Sequence, residues 1–157
     1  MEPSVSILFA VMTVLSPLLA KHGYDDAANV NRDELYCAAQ NIYFESRGEP
    51  DLGQLGVGQV VLNRVESPKW PGSICDVVWR EKQFSWTHDG KSDRIKLSTK
   101  ENRRVWMKSV FYAIMSLIED DVTNGATHYH SESVEPYWVG SMIQTAHIGN
   151  HIFLKEK

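Results

Sequence analysis

The chain has 157 residues, 43% apolar and 23% charged, with a formal net charge of -4. That is one domain's worth of ordinary globular composition, with no room for a second independent core. The Lys and Arg residues form no dense basic block, so nothing points to a nucleic-acid backbone as partner.

In chain order, the first element is the apolar, uncharged run from Val5 to Ala20. Residues 1–22 read as a signal peptide or signal-anchor, with residues 5–20 as the membrane tether if the segment is kept. Leu18 and Ala20 occupy the small-residue cleavage positions, although Leu18 is large for that role and Glu2 stands where Lys or Arg is usual. The competing reading is a buried N-terminal helix, which Pro17 is expected to break. Export to the cell envelope, periplasmic or extracellular, is the expected location. Residues 23–32 read as a polar linker, and residues 33–157 as a single domain without repeats.

The next element is a helix through Tyr36-Cys37-Ala38-Ala39-Gln40-Asn41-Ile42-Tyr43-Phe44-Glu45, with Asn31 and Glu34 at its start and Gly48 and Pro50 at its stop. Leu35, Ala38, Ile42 and Glu45 share one face, which puts a carboxylate on the apolar side. An ionised carboxylate is costly to bury, and the C-terminal end of a helix dipole also favours its protonated form. Such a group holds a proton near neutral pH, as a general acid must. The alternative is a structural ion pair with Arg47 or Arg64.

A second helix follows over Asp51–Val65, with Val57, Val60, Val61 and Val65 as its inward stripe. Gly53, Gly56 and Gly58 are expected to let it approach the Glu45 helix closely. Cys37 and Cys75 are an even pair for which a disulfide is allowed, though both also suit small buried hydrophobes. Gln83-Phe84-Ser85-Trp86 mixes aromatic and hydrogen-bonding side chains in a loop, a surface suited to sugars. Each tryptophan alone reads more naturally as core, with Trp86 the best exception. The clearest helix then carries Trp106, Val110, Ala113, Ile114, Leu117 and Ile118, with Ser98 and Glu101 as a capping box and Asn124-Gly125 as its end. The tail reads as a small antiparallel sheet: strands at Ala126–His130, at Ala146–Ile148 and, past Gly149-Asn150, at His151–Phe153.

Tyr129, His130, Tyr137 and Trp138 form a second set of candidate substrate-binding side chains. His128, His130 and His147 are imidazoles to weigh for zinc, but no His-Glu-x-x-His is present, and no metal or other cofactor is expected.

Taken together, Ile42-Tyr43-Phe44-Glu45-Ser46-Arg47-Gly48-Glu49-Pro50, Gly53-Gln54, Gly58-Gln59-Val60-Val61-Leu62-Asn63-Arg64-Val65, Phe84-Ser85-Trp86, Ala126-Thr127-His128-Tyr129-His130, Pro136-Tyr137-Trp138 and Thr145–Phe153 resemble the cell wall hydrolases of the spore cortex-lytic enzyme type. The resemblance covers nearly everything from Leu35 to Phe153. It implies an α+β, lysozyme-like fold: a mainly helical lobe with a small C-terminal antiparallel β-sheet. It also implies cleavage of peptidoglycan glycan strands, with the catalytic acid falling on Glu45. Ser46 stands where many members have alanine. With one well-placed carboxylate, the expected reaction is a lytic transglycosylation giving 1,6-anhydromuramyl ends. The alternatives are a water-dependent N-acetylmuramidase, a zinc amidase using His128, His130 and His147, and a non-enzymatic glycan-binding module. A short lysis enzyme of a bacteriophage suits the layout.

Overall fold

The computed structural model describes residues 1–24 and 31–157. Most of the expected linker, residues 25–30, therefore lies outside the described residues. Five α-helices and a three-stranded sheet are described: α1 Pro3–Lys21, α2 Arg32–Ser46, α3 Asp51–Glu66, α4 Ile74–Val78, α5 Lys100–Ser116, β1 His128–Ser131, β2 Met142–Ile148 and β3 His151–Glu156. The architecture is thus the expected helical lobe followed by a small antiparallel sheet, whose strand order is β1-β3-β2.

Helix α2 starts where Asn31 accepts from the backbone N–H groups of Asp33 and Glu34. The Glu34 carboxylate, in the first turn, accepts from the Cys75 backbone N–H at 2.9 Å. That contact and the Cys37–Cys75 disulfide tie α4 to α2. A cross-link of this span typically stabilises a domain by about 2–4 kcal/mol. Leu35, Ala38 and Ile42 are buried among α5 residues including Trp106, Val110 and Ile114.

Helix α3 lies between α2, α5 and the sheet. A Cβ at Gly58 would come within 3.1 Å of Ile42 on α2 and Ser116 on α5, so this glycine does bring the helices together. Gly56 does not serve that purpose, since its near neighbours are Phe153 on β3 and Thr123. Gly53 faces Glu49. Polar side chains of α3 fasten the segment leading into the sheet: Gln59 donates to the Asp120 carbonyl and accepts from Val122 N–H, while Asn63 donates to the Ala126 carbonyl at 2.8 Å.

Two helix boundaries differ from the sequence reading. Helix α5 is capped by Thr99, whose hydroxyl accepts from Asn102 N–H, so Ser98 and Glu101 form no capping box. It also stops at Ser116, leaving Asn124 and Gly125 as a separate left-handed turn stabilised by the Asp121 carboxylate. Nor does Pro17 break α1. Proline withholds the N–H that would reach the Thr13 carbonyl, and the Ser16 hydroxyl supplies a donor to that carbonyl at 3.0 Å. One side of α1 packs on α5, burying Leu8 and Leu19, and the Ser4 carbonyl accepts from the Trp106 indole N–H at 3.0 Å.

Candidate active site

Glu45 sits in the last turn of α2, half-buried, where α2, α3 and β1 converge. Its position follows from the periodicity that buries Leu35, Ala38 and Ile42, carried one turn further. Burial raises its carboxyl pKa above the usual carboxylate range, while Tyr129 and then Arg64 pull in the opposite direction without cancelling it.

Neither arginine of the competing structural reading forms an ion pair with Glu45 among the described residues. Arg47 turns back over its own helix, its guanidinium 4.5 Å from the Tyr43 ring centroid and donating to the Tyr43 carbonyl. Arg64 is 5% exposed and belongs to the buried stripe of α3. Its Nε donates to the Thr127 carbonyl at 2.7 Å, and its guanidinium stacks 4.1 Å from the Trp70 ring centroid. Burial first, opposed by Tyr129 and Glu45, lowers its pKa to about 10, so it is charged at neutral pH. The Arg64 Nη1 atom is buried without a partner.

Tyr129 comes from the middle of β1, paired with Phe153 of β3. Strand alternation sends it toward the helices and sends His128 and His130 to the other face. Its hydroxyl faces the Glu45 carboxyl closely enough for each to perturb the other, yet the pair falls short of a full hydrogen bond, and the Oη atom is buried and unpaired. Burial, then Glu45, keeps the Tyr129 hydroxyl protonated well above its ordinary range.

The sheet is held against this corner by Glu49. Its two carboxylate oxygens accept from the Asn150 backbone N–H at 2.9 Å and the Asn150 side-chain amide at 3.1 Å. Gly149, at φ +57°, allows the approach, since a Cβ there would lie 2.7 Å from Pro50 Cδ. His151 follows, its ring 5.0 Å from that of Tyr129 and its Nδ1 3.7 Å from Glu49. Burial lowers its pKa.

Four further carboxylates have contacts of their own. Glu49 clamps the hairpin, Asp51 pairs with Lys108 at 2.7 Å, Glu132 meets His147 at 2.9 Å, and Asp89 accepts from Lys91 N–H.

The two aromatic sets separate. Phe84 and Trp86 are buried; Trp86 stacks on Phe44 with centroids 4.7 Å apart, and its indole donates to Asn41 Oδ1 at 2.9 Å. They are core, contrary to the sugar-binding role expected of them, because the chain folds back under α2. Gln83 is half-buried and Ser85 exposed beside them. Tyr137 is 99% exposed, and Trp138 lies 5.3 Å from His128 and 5.8 Å from His130, ring to ring. That surface meets the site through Trp70, which touches both His128 and Arg64. The histidines do not converge: His130 Nδ1 lies by the Ser131 carbonyl and His147 by Glu132, and no group of three potential metal ligands occurs among the described residues.

The sequence reading names Arg64 only as a rival partner of Glu45 and Glu49 only within the family motif. Arg64 was visible by the logic applied to Glu45, since it lies three, four and seven residues from Val61, Val60 and Val57 and so joins their apolar face.

A family model described as Cell Wall Hydrolase matches residues 48–154. The chain belongs to the cell wall hydrolase family. The matched span begins three residues past Glu45. The spore cortex-lytic enzyme of Halalkalibacterium halodurans is 31% identical, over 85% of this chain and 41% of that protein. The corresponding enzyme of Bacillus cereus is 32% identical, over 80% of this chain and 45% of its own length. The chain therefore spans less than half of these cell wall hydrolase relatives. Among solved structures, the catalytic domain of the germination-specific lytic transglycosylase SleB from Bacillus anthracis matches with TM-score 0.64 and 31% identity, covering 78% of this chain and 94% of that domain. The catalytic domain of Bacillus cereus SleB gives TM-score 0.62 at 33% identity, covering 80% and 91%. The family fold is thus the SleB catalytic-domain fold.

Proposed function

We propose that this cell wall hydrolase cleaves the MurNAc-GlcNAc glycan strand of peptidoglycan as a lytic transglycosylase, with Glu45 as both acid and base. The protonated carboxyl gives its proton to the glycosidic oxygen as the bond to the muramic acid anomeric carbon breaks. The resulting carboxylate then takes the proton of the muramic acid 6-hydroxyl, whose oxygen bonds to the same carbon. Glu45 regains its proton, no water is consumed, and the muramic acid ends as a 1,6-anhydro ring.

The observation that carries this reading is the isolation of Glu45. Glycosidases that use water or a covalent intermediate commonly place a second carboxylate across the bond, whereas Glu49, Asp51, Asp89 and Glu132 are each committed to another contact. The similarity to a domain described as a lytic transglycosylase supports the same choice. Tyr137 and Trp138, with His130, Gln83 and Ser85, remain the side chains assigned to the glycan; Tyr129, its hydroxyl buried toward Glu45, is not among them. Helix α1 is long and apolar enough to cross a membrane, which supports export or tethering at the cell envelope through residues 5–20.

Digestion of purified sacculi followed by mass measurement of the fragments tests the reaction. Muropeptides lighter by one water than the corresponding reducing-end hydrolysis products are expected; reducing muramic acid ends would replace the transglycosylase with a muramidase.

A further inference from the structure

Two buried donors that act on Glu45, Tyr129 Oη from β1 and Arg64 Nη1 from α3, have no full hydrogen-bond partner among the described residues. Unpaired buried donors are uncommon and costly, so a fold that keeps two next to one carboxyl has a use for them. Neither is loosely held. Arg64 is anchored through Nε on the Thr127 carbonyl and between the rings of Trp70 and Phe84. Tyr129 is wedged against His151 and Phe153. Thr127 and Tyr129 are two residues apart, so the carbonyl that anchors Arg64 belongs to the strand that carries the tyrosine.

We propose that Tyr129 and Arg64 are positioning residues that act through Glu45, leaving it a proton donor in the resting site and receiving the charge that appears once the proton has gone. This rests on the reading of Glu45 as acid and base. A protonated carboxyl needs little from the two donors. A carboxylate accepts from both, and charge-assisted bonds are roughly twice as strong as neutral ones. The stabilisation is therefore largest in the half of the cycle when Glu45 is ionised, which lowers the barrier of the first step by holding the developing charge. The other charged groups near this corner are turned elsewhere: Arg47 lies on Tyr43, Glu49 on Asn150, and His151 lies against the Tyr129 ring.

The test is the Glu45 carboxyl titration, followed by carbon-13 NMR in the folded full chain and requiring no activity. Tyr129→Phe removes the hydroxyl, and Arg64→Met removes the charge. In each, Glu45 is expected to titrate at higher pH than in the parent, and kcat on sacculi to fall at least ten-fold with KM changed less. Arg64→Lys, which keeps the charge, is expected to restore much of the titration shift, and it serves also where Arg64→Met fails to fold. Unchanged Glu45 titration in a folded Tyr129→Phe or Arg64→Met protein overturns the assignment of that residue. Because the titration is read without substrate, that result is distinct from failure of the glycosidase reading, which appears as a parent chain releasing no fragments.

Discussion

The two 3-10 turns, Ser85–Thr87 and Tyr137–Ser141, carry aromatic side chains to opposite surroundings. Trp86 is 6% exposed and its indole N–H is satisfied by Asn41, whereas Tyr137 is almost wholly exposed and Trp138 rests half-covered on two histidine rings. The difference lies in what each turn meets. The first folds under α2, where Phe44 offers a ring face, and the second stands on the outward side of a small sheet. A mixture of aromatic and polar residues therefore marks either a packed corner or a ligand platform, and the neighbouring element decides which.

Trp86→Ala puts the most strain on that contrast. A truncated buried tryptophan costs about 3–5 kcal/mol, and here the Asn41 amide also loses a partner, so a sharp drop in the denaturation midpoint is expected. A stability near that of the parent would mean that Trp86 is not core. Trp138→Ala is the counterpart. It is expected to leave the midpoint nearly unchanged and to weaken sacculus binding by about 0.5–1.5 kcal/mol, the worth of an aromatic stacking contact. Lost stability with intact binding would reverse the assignment.

A small, pH-dependent effect on stability is expected at Glu45. Burial raises the folded-state pKa of Glu45 above 4.5, so this group favours folding below the unfolded pKa, and the contribution is lost as pH rises through the folded pKa. Denaturant titrations of the parent and Glu45→Gln should show the variant as the more stable at neutral pH, with the gap closing as pH falls toward 4.5. A gap independent of pH would mean that Glu45 titrates normally.

The parts of this molecule that were legible from sequence are those fixed by local periodicity. Leu35, Ala38 and Ile42 bury as their spacing requires, and the strands flanking Gly149 pair as a hairpin. The boundaries that moved depend on side-chain bonds that spacing does not reveal: Thr99 caps in place of Ser98, and Ser16 repairs the gap at Pro17. At the site, Glu45 was visible because a charge interrupted an apolar stripe, and Arg64 carried the same signal on the facing helix. Tyr129 was legible as a candidate site residue but not as the neighbour of Glu45, because that proximity depends on long-range contacts such as the Glu49 clamp between residues 101 positions apart. Long-range placement of this kind leaves no trace in local pattern.

The central claim is that one half-buried carboxyl carries the chemistry, and Glu45→Gln measures it most directly. The variant keeps the size and polarity of the side chain but cannot exchange a proton. Turbidity clearing of purified cell walls is expected to fall by roughly 10²–10⁴-fold, the contribution of a positioned general acid, while the unfolding transition at neutral pH is no lower than the parent's. Clearing at the parental rate by the folded variant would contradict the account.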